Sequence, residues 1–397
     1  CGWSGEWDTA LRALLERCAS RRFWAYWASR GDPGETAQRL IAFRGASVLR
    51  ITDADAFFGE LLEKVTALED LSAHDPLPAR VAVARMKRYL ASDAHRIILH
   101  DLLASESERV HAAIGGPRFP ARAAADVLTP ESILGRLRAY ESELNVSLAM
   151  LIGGAYWAEE QHHDLLVRAL KRLADRYEPE SGLVASLNLR RYPALVLTYG
   201  MGLAALGHNN YAFLKALLHL GIRSERYERE EPLVTVVHDQ AVLQRDLQKR
   251  LPGREREFTP LSNHLLEFLR EPLREYIPDD NVYDDTFDWF EYLFGLVHCD
   301  VQVTRQSLAE LKAQREDLIL WGPVGRFGWK PTYGEEGGIQ QQTELRPGEL
   351  YPERVARALR AGFFESGGQL SHDDKYRDVK AAFDRHVERV RHGWGVW

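Results

Sequence analysis

Three short stretches near the start of this chain carry residue types suited to holding a nucleotide: Gly2-Trp3-Ser4, Ser29 after an aromatic run, and Thr52-Asp53 ahead of a helical pattern. A glycine lets the backbone come close to a bound group, a neighbouring serine offers a hydroxyl to ribose or phosphate, and a helix start favours a polar or anionic group. Each stretch also has a plain structural account, since Gly-x-Ser turns are common and Asp53 fits a helix N-cap. Further along, Glu159-Glu160-Gln161-His162-His163-Asp164 sets Glu160 and Glu159 three and four residues before His163, on one helical face. A carboxylate and imidazole metal site in a bundle needs a second such pair facing it, so a metal hydrolase built on Glu160 and His163 yields to a solvated helix face with ordinary ion pairs. His298-Cys299-Asp300 lies among Phe287, Trp289, Phe290 and Phe294, where a cysteine is a small core residue. Asp279, Asp280, Asp284 and Asp285 lack the glycine of a calcium-binding loop and read as helix capping and a solvated turn, and His208-Asn209-Asn210 after Gly207 reads as a helix-to-helix turn.

The elements that must position the first group alternate. A helix is expected from about Glu6 to Cys18, a buried strand in the aromatic run Phe23 to Trp27, and a turn at Gly31-Asp32-Pro33-Gly34. A helix from Glu35 to Arg44, a strand from Ser47 to Ile51 and a helix opened by Thr52-Asp53 follow. Strands alternating with helices of this length predict a parallel α/β sheet whose ligand crevice lies at the carboxyl ends of the strands. Gly2 to Ser4, Ala28 to Arg30 and Thr52 to Asp55 fall at such ends. The chain opens Cys1-Gly2 with no initiator Met, and Cys1 reads as the last residue of a strand whose body precedes it.

Past Asp70 the period becomes helical, so the reading divides the chain into 1–71, the α/β part, and 72–397, a large all-α domain, for a mainly α protein overall. Helices are expected from about Ala79 to Leu90, Ala94 to Ile114, Pro130 to Leu151, Ala155 to Tyr177, Tyr192 to Leu206, Asn209 to Leu220 and Val234 to Arg250. Others follow from Pro260 to Arg270, Thr286 to Glu310, Pro352 to Ala361 and Asp373 to His392. Residues 321–348 read as an irregular Gly-rich insert. Its stretch Gly322 to Lys330, like the tail His392 to Trp397, mixes backbone freedom with aromatics and suits either another chain or the protein's own helices.

Composition narrows the classes. The net charge is −7 with both signs interleaved, which argues against direct nucleic-acid binding. The longest apolar runs, such as Tyr192 to Leu206, are too short to span a bilayer. Three irregularly spaced cysteines, Cys1, Cys18 and Cys299, build no disulfide framework and point to the cytoplasm.

The order of the three strand ends resembles the closing part of the sirtuin fold. More narrowly, Gly2-Trp3-Ser4-Gly5-Glu6-Trp7-Asp8 followed by a Tyr-Trp strand resembles bacterial sirtuin-like proteins of the anti-phage defence type. The resemblance covers about Cys1 to Asp70. It implies a Rossmann-like, sirtuin-type segment in which Gly2, Ser4, Ser29, Thr52 and Asp53 line the adenosine half of an NAD site. It further implies that NAD is the substrate, split into nicotinamide and ADP-ribose, with the helical part regulating the enzyme or sensing a trigger, alone, with a protein partner or by self-association. Two departures stand out. The glycine-rich loop with the Asn and His that act on the nicotinamide ribose has no counterpart in these residues, so the chain alone is expected to be catalytically incomplete and no catalytic residue is assigned to it. Trp3 also takes the place of a residue that is small in many sirtuins. The alternative function is a non-catalytic helical scaffold or sensor whose α/β end anchors a partner.

Overall fold

The computed structural model describes residues 3–18, 25–71, 79–120, 129–175, 184–224, 229–305, 317–329, 332–336, 339–343, 347–365 and 371–392. Gly2, the linker 72–78, Lys330 and the tail 393–397 lie outside the described residues. The chain is mainly helical and divides into two compact units, Cys1–Pro76 and Leu77–Trp397.

In the first unit, α1 (Thr9–Arg17) is opened by Asp8, whose carboxylate accepts from the Leu11 amide at 2.9 Å. Strand β1 (Tyr26–Ser29) pairs in parallel with β2 (Ser47–Arg50) through the crossover helix α2 (Glu35–Arg44), and α3 (Ala54–Leu71) follows. Gly45, left-handed at φ +61°, ends α2 and turns the chain into β2. The expected buried strand is only half buried. Its described part alternates, with Trp27 and Ser29 partly covered and Tyr26 63% exposed, because two strands alone have no second layer on that face.

The second unit is built on helices α4 (Ala79–Leu90), α5 (Arg96–Gly115), α6 (Pro130–Trp157), α7 (Glu160–Ala174), α8 (Val184–Leu189), α9 (Tyr192–Gly207) and α10 (Tyr211–Leu218). At its centre is α9, buried on every face from Tyr192 to Leu206, which explains why its sequence is apolar all round. It packs against α6 and against α15 (Asp280–Arg305). The apolar run of α9 is therefore a core helix, and among the described residues no helix is long and apolar enough to cross a membrane.

Several boundaries depart from the expectation. Helix α6 runs straight through Gly153-Gly154 to Trp157, because these glycines serve close packing. A Cβ at Gly154 would sit 2.6 Å from Met86 of α4 and from Leu166 of α7. The break comes at Ala158-Glu159 instead. The single helix expected over Val234 to Arg250 is three short helices, α11 (Leu233–Val236), α12 (Asp239–Val242) and α13 (Arg245–Gln248), and a hairpin of β3 (Gly221–Ser224) and β4 (Arg229–Pro232) precedes them. After α14 (Pro260–Leu273) and α15, the supposedly irregular 321–348 holds an antiparallel hairpin, β5 (Thr332–Glu336) with β6 (Ile339–Thr343), and the start of α16 (Pro347–Leu350). The register leaves two residues between those strands, and they are Gly337 and Gly338, a hairpin signal that the absence of a helical period obscured. Helices α17 (Pro352–Arg360) and α18 (His372–His392) complete the unit.

Candidate functional site

The candidate nucleotide site is made by strand ends that meet at one loop, residues 31–34. Ser29 faces Arg50 across the parallel pair, and the Ile51 amide donates to the Ser29 carbonyl at 3.1 Å, so the chain leaves β2 at Thr52-Asp53 beside the exit of β1. The Ser29 hydroxyl donates to the Gly31 carbonyl at 2.7 Å, which leaves its oxygen able to accept from a ligand. Arg50 forms an ion pair with Asp32 of the same loop, both largely exposed, so the pair orients the loop and contributes little stability. The Gln38 side chain of α2 donates through Nε2 to the Pro33 carbonyl at 2.9 Å and closes the loop from the other side.

The Ser4 turn comes to this loop through its neighbours. Gly5 adopts φ +86°, a conformation that favours glycine, and is buried where an added Cβ would lie 3.4 Å from the Trp27 ring and 3.8 Å from Ala37 of α2. Glu6 then brings its Oε1 to 3.2 Å from the point where Gly34, the N-cap of α2, would carry a Cβ, a favourable place for a carboxylate at the positive end of a helix. Ser4 is exposed, and its Oγ accepts from the Glu6 amide at 3.4 Å. Trp3 packs on Trp27 with ring centroids 5.8 Å apart, and its buried Nε1 donates to no group in the structure.

The fold thus brings Ser29 and Thr52-Asp53 to the carboxyl side of the strand pair and Glu6, two residues after Ser4, to the same loop, while Gly2 lies outside the described residues. Asp53 has the capping role that its position suggested: its Oδ1 accepts from the Ala56 amide at 2.8 Å and starts α3. Thr52 is exposed. Arg50, Asp32 and Glu6 join the constellation without a sequence signal, because their meeting depends on strand register and on the path of the first turn.

The other sequence candidates resolve into packing. His162 and His163 are not on a solvated face. Both are buried, with His163 edge-on to Phe213 at 5.2 Å, and burial lowers the pKa of its imidazole. The same spacing in Glu108 and His111 is exposed on α5, and no group of three metal-ligating side chains occurs among the described residues. Cys299 is buried with its Sγ near the Leu320 and Trp321 carbonyls at 3.7 and 3.5 Å, and burial pushes the thiol up, away from nucleophile chemistry. Asp279 caps α15 by accepting from the Asn281 and Val282 amides at 2.9 Å, and Asp280 and Asp284 both pair with Arg270 at 2.6 Å.

The loop 321–329 folds onto its own unit. Arg326 pairs with Asp284 at 3.2 Å and Asp288 at 2.9 Å, Phe327 is buried against Tyr292 and Phe383, and Trp329 stacks on Phe258. Beneath it lies Glu291, whose Oε1 accepts from Ser262 Oγ at 2.7 Å and Tyr199 OH at 3.2 Å, and whose Oε2 accepts from the Arg326 amide at 3.0 Å. Burial pushes this carboxyl up to about 8 despite those donors. A lone carboxylate inside the apolar run Trp289 to Gly295 was the signal that could have marked it. Comparison with protein-family models, with curated proteins and with solved structures finds no match for this chain.

Proposed function

We propose that the first unit is the closing part of a Rossmann-like, sirtuin-type NAD-binding domain, in a cytoplasmic effector that hydrolyses NAD to nicotinamide and ADP-ribose in prokaryotic anti-phage defence. In this reading the helical unit regulates the enzyme or senses its trigger. One observation supports it: a parallel strand–helix–strand crossover at whose carboxyl ends stand Ser29 and Thr52-Asp53, with Glu6, two residues after Ser4, beside the loop between them. That is where open α/β sheets bind nucleotides. Ser29 and Ser4 would meet ribose hydroxyls, and the first turn of α3 with Thr52 would meet the polar edge of the adenosine half.

A second feature supports the reading. Parallel sheets are covered on both faces, and a two-stranded pair is marginal alone. Here Trp7 is 86% exposed and Leu14, Tyr26, Phe58 and Leu62 are more than half exposed, an apolar surface that further strands and helices of a larger α/β domain would cover. The cleavage chemistry would reside in that remainder, since these residues hold no glycine-rich loop followed by Asn and His.

The test is nicotinamide release from NAD by the longest polypeptide that the gene encodes, by its Ser4→Ala variant and by these 397 residues alone. The longest polypeptide is expected to release nicotinamide, and Ser4→Ala to slow release about tenfold, the worth of one hydrogen bond to ribose. The 397 residues alone are expected to release none. Equal release by the short and long forms, or a reading frame with no glycine-rich loop, Asn and His in sirtuin order, overturns the proposal.

A further inference from the structure

Three histidines from three elements surround Trp321, the first residue of the loop 321–329. His238, the N-cap of α12, and His298 of α15 stand edge-on to the indole with ring centroids 5.4 and 5.1 Å away, and 5.7 Å from each other. His386 of α18 has its ring 6.2 Å from the same indole and donates to the Gly322 carbonyl. The imidazoles are buried, while Trp321 is 40% exposed. Histidine is the side chain that ordinarily changes charge between about pH 5 and 8, so the charge packed around this residue depends on pH.

One nitrogen of this cluster has two partners within a small movement. His238 Nδ1 accepts from the Ala241 amide at 3.3 Å and so caps α12; an amide N–H only donates, so Nδ1 carries no proton in this arrangement. Asp239 Oδ1 lies 3.8 Å from the same Nδ1, beyond hydrogen-bond range, and is a buried carboxylate oxygen that accepts no hydrogen bond among the described residues. Leaving such an oxygen without a donor is costly. A proton on Nδ1 would break the cap, since an imidazolium has no acceptor, and after a shift of about 1 Å it would supply the donor that Asp239 lacks. One nitrogen cannot accept from Ala241 and donate to Asp239 at once, so the two arrangements exclude each other. The surrounding charges bear on both. Asp239 favours the imidazolium and a charged His298 would oppose it, while on α18 burial lowers the pKa of His386 and Arg389 lowers it further. On α13, burial lowers the pKa of Arg245 against the charges of Asp239 and Asp246. Beneath the loop, burial raises the pKa of Glu291 and of Tyr199, and the charge of Asp239 adds to both.

We propose that His238 is a proton-operated switch at the root of the loop 321–329. Neutral, it caps α12 and braces Trp321; protonated from solvent, it leaves the Ala241 amide, pairs with Asp239 Oδ1 and shifts its ring against the indole. The switch belongs to the helical unit and does not rest on the NAD reading. It gives that unit a response to acidity located at a partly exposed aromatic residue.

The experiment follows the ring nitrogens of isotope-labelled histidine by NMR in the 397-residue chain between pH 8 and pH 5, with tryptophan emission in parallel. At pH 8 the His238 proton is expected on Nε2 alone. Toward pH 5 Nδ1 should gain a proton and the emission of Trp321 should fall, because an imidazolium against an indole quenches it. Trp321→Phe should remove the emission step and leave the His238 titration in place. His238→Asn keeps an oxygen able to cap α12, so it should melt as the wild type does at pH 8 and lose the step. Asp239→Asn should move the His238 midpoint down by about one pH unit, a tenfold loss of proton affinity. The proposal fails if Nδ1 is protonated at pH 8, if no emission step occurs, or if the step survives in a normally melting His238→Asn. It fails equally if Asp239→Asn leaves the His238 midpoint in place, or if His386→Gln removes the step while His238→Asn keeps it, which would move the switch to α18. Because the nitrogen spectra are read on the unaltered chain, a variant that does not fold leaves the test intact.

Discussion

The two units use similar apolar residues to opposite ends. In the helical unit Trp289, Phe290, Phe287 and Tyr192 are fully buried around α9. In the α/β unit, among the described residues whose burial is defined, only Gly5, Ala37 and Leu40 are buried, while Trp7, Tyr26 and Phe58 face solvent. The difference follows from geometry. A helix surrounded by helices closes its own core, whereas a parallel strand pair has two faces and two edges that only further layers can satisfy. Apolar content therefore marks a core in one region and an exposed surface in the other, and the same kind of substitution should have opposite consequences in the two.

The sharpest contrast is Phe290→Ala. Phe290 is fully buried, 4.9 Å from Tyr199 and 6.0 Å from Phe294, and it packs so closely on Gly202 of α9 that a Cβ there would lie 2.1 Å from its ring. Truncation should destabilise the helical unit by about 3–5 kcal/mol, read as a lowered midpoint in urea. A loss below about 1 kcal/mol would mean that the α9 and α15 contact is not the centre of the core, and the contrast between the units would collapse.

How far this contrast was legible beforehand depends on which forces write themselves into local pattern. The apolar stretch of α9 and the alternation of helix and strand over Glu35 to Ile51 are local, and the elements stand close to where the pattern put them. Gly153-Gly154 misled because glycine in a sequence can mean a break or a close approach, and only Met86 and Leu166, distant in sequence, decide between them. His162 and His163 misled for a similar reason: the polar residues around them imply a wet face, while Phe213 arrives from α10. In the candidate site, Ser29 and Asp53 were legible as strand-end and cap residues. Arg50 and Asp32 were not, since a one-residue change of register would separate them.

A gentler probe of the helical unit is its pH response at Glu291. An unfolded carboxyl titrates near 4.5 and this one is raised to about 8, so between those values the folded state holds a proton that the unfolded state has released. The group's contribution is fully present below the lower value and is lost as pH rises through the upper one. Stability should therefore fall with rising pH across that window on this group's account. Glu291→Gln mimics the protonated form, with its amide toward Ser262 and Tyr199 and its oxygen accepting from the Arg326 amide. Thermal melts at pH 5 and pH 8 should differ by about 4 °C or more less in the variant than in the wild type. Equal pH dependence in the two proteins would show that the carboxylate is ionised throughout, balanced by Arg326 and its other donors.

The smallest effect belongs to the other unit, and its smallness is the point. Phe58 and Leu62 project from α3 with more than half of their surface in solvent, so removing them takes away little that is buried. Phe58→Ser and Leu62→Ser should each change the stability of the chain by no more than about 0.5 kcal/mol, the range of ordinary surface substitutions. Amides of β1 and β2 should exchange with deuterium far faster than those of α9, because a strand pair without covering layers opens locally. In the longest polypeptide of the gene, where the proposed α/β remainder would cover this surface, the same two substitutions should instead cost several-fold in nicotinamide release. A loss above about 1 kcal/mol in the chain alone would mean that α3 already has its partner, and the surface assigned to the proposed α/β remainder would be spoken for.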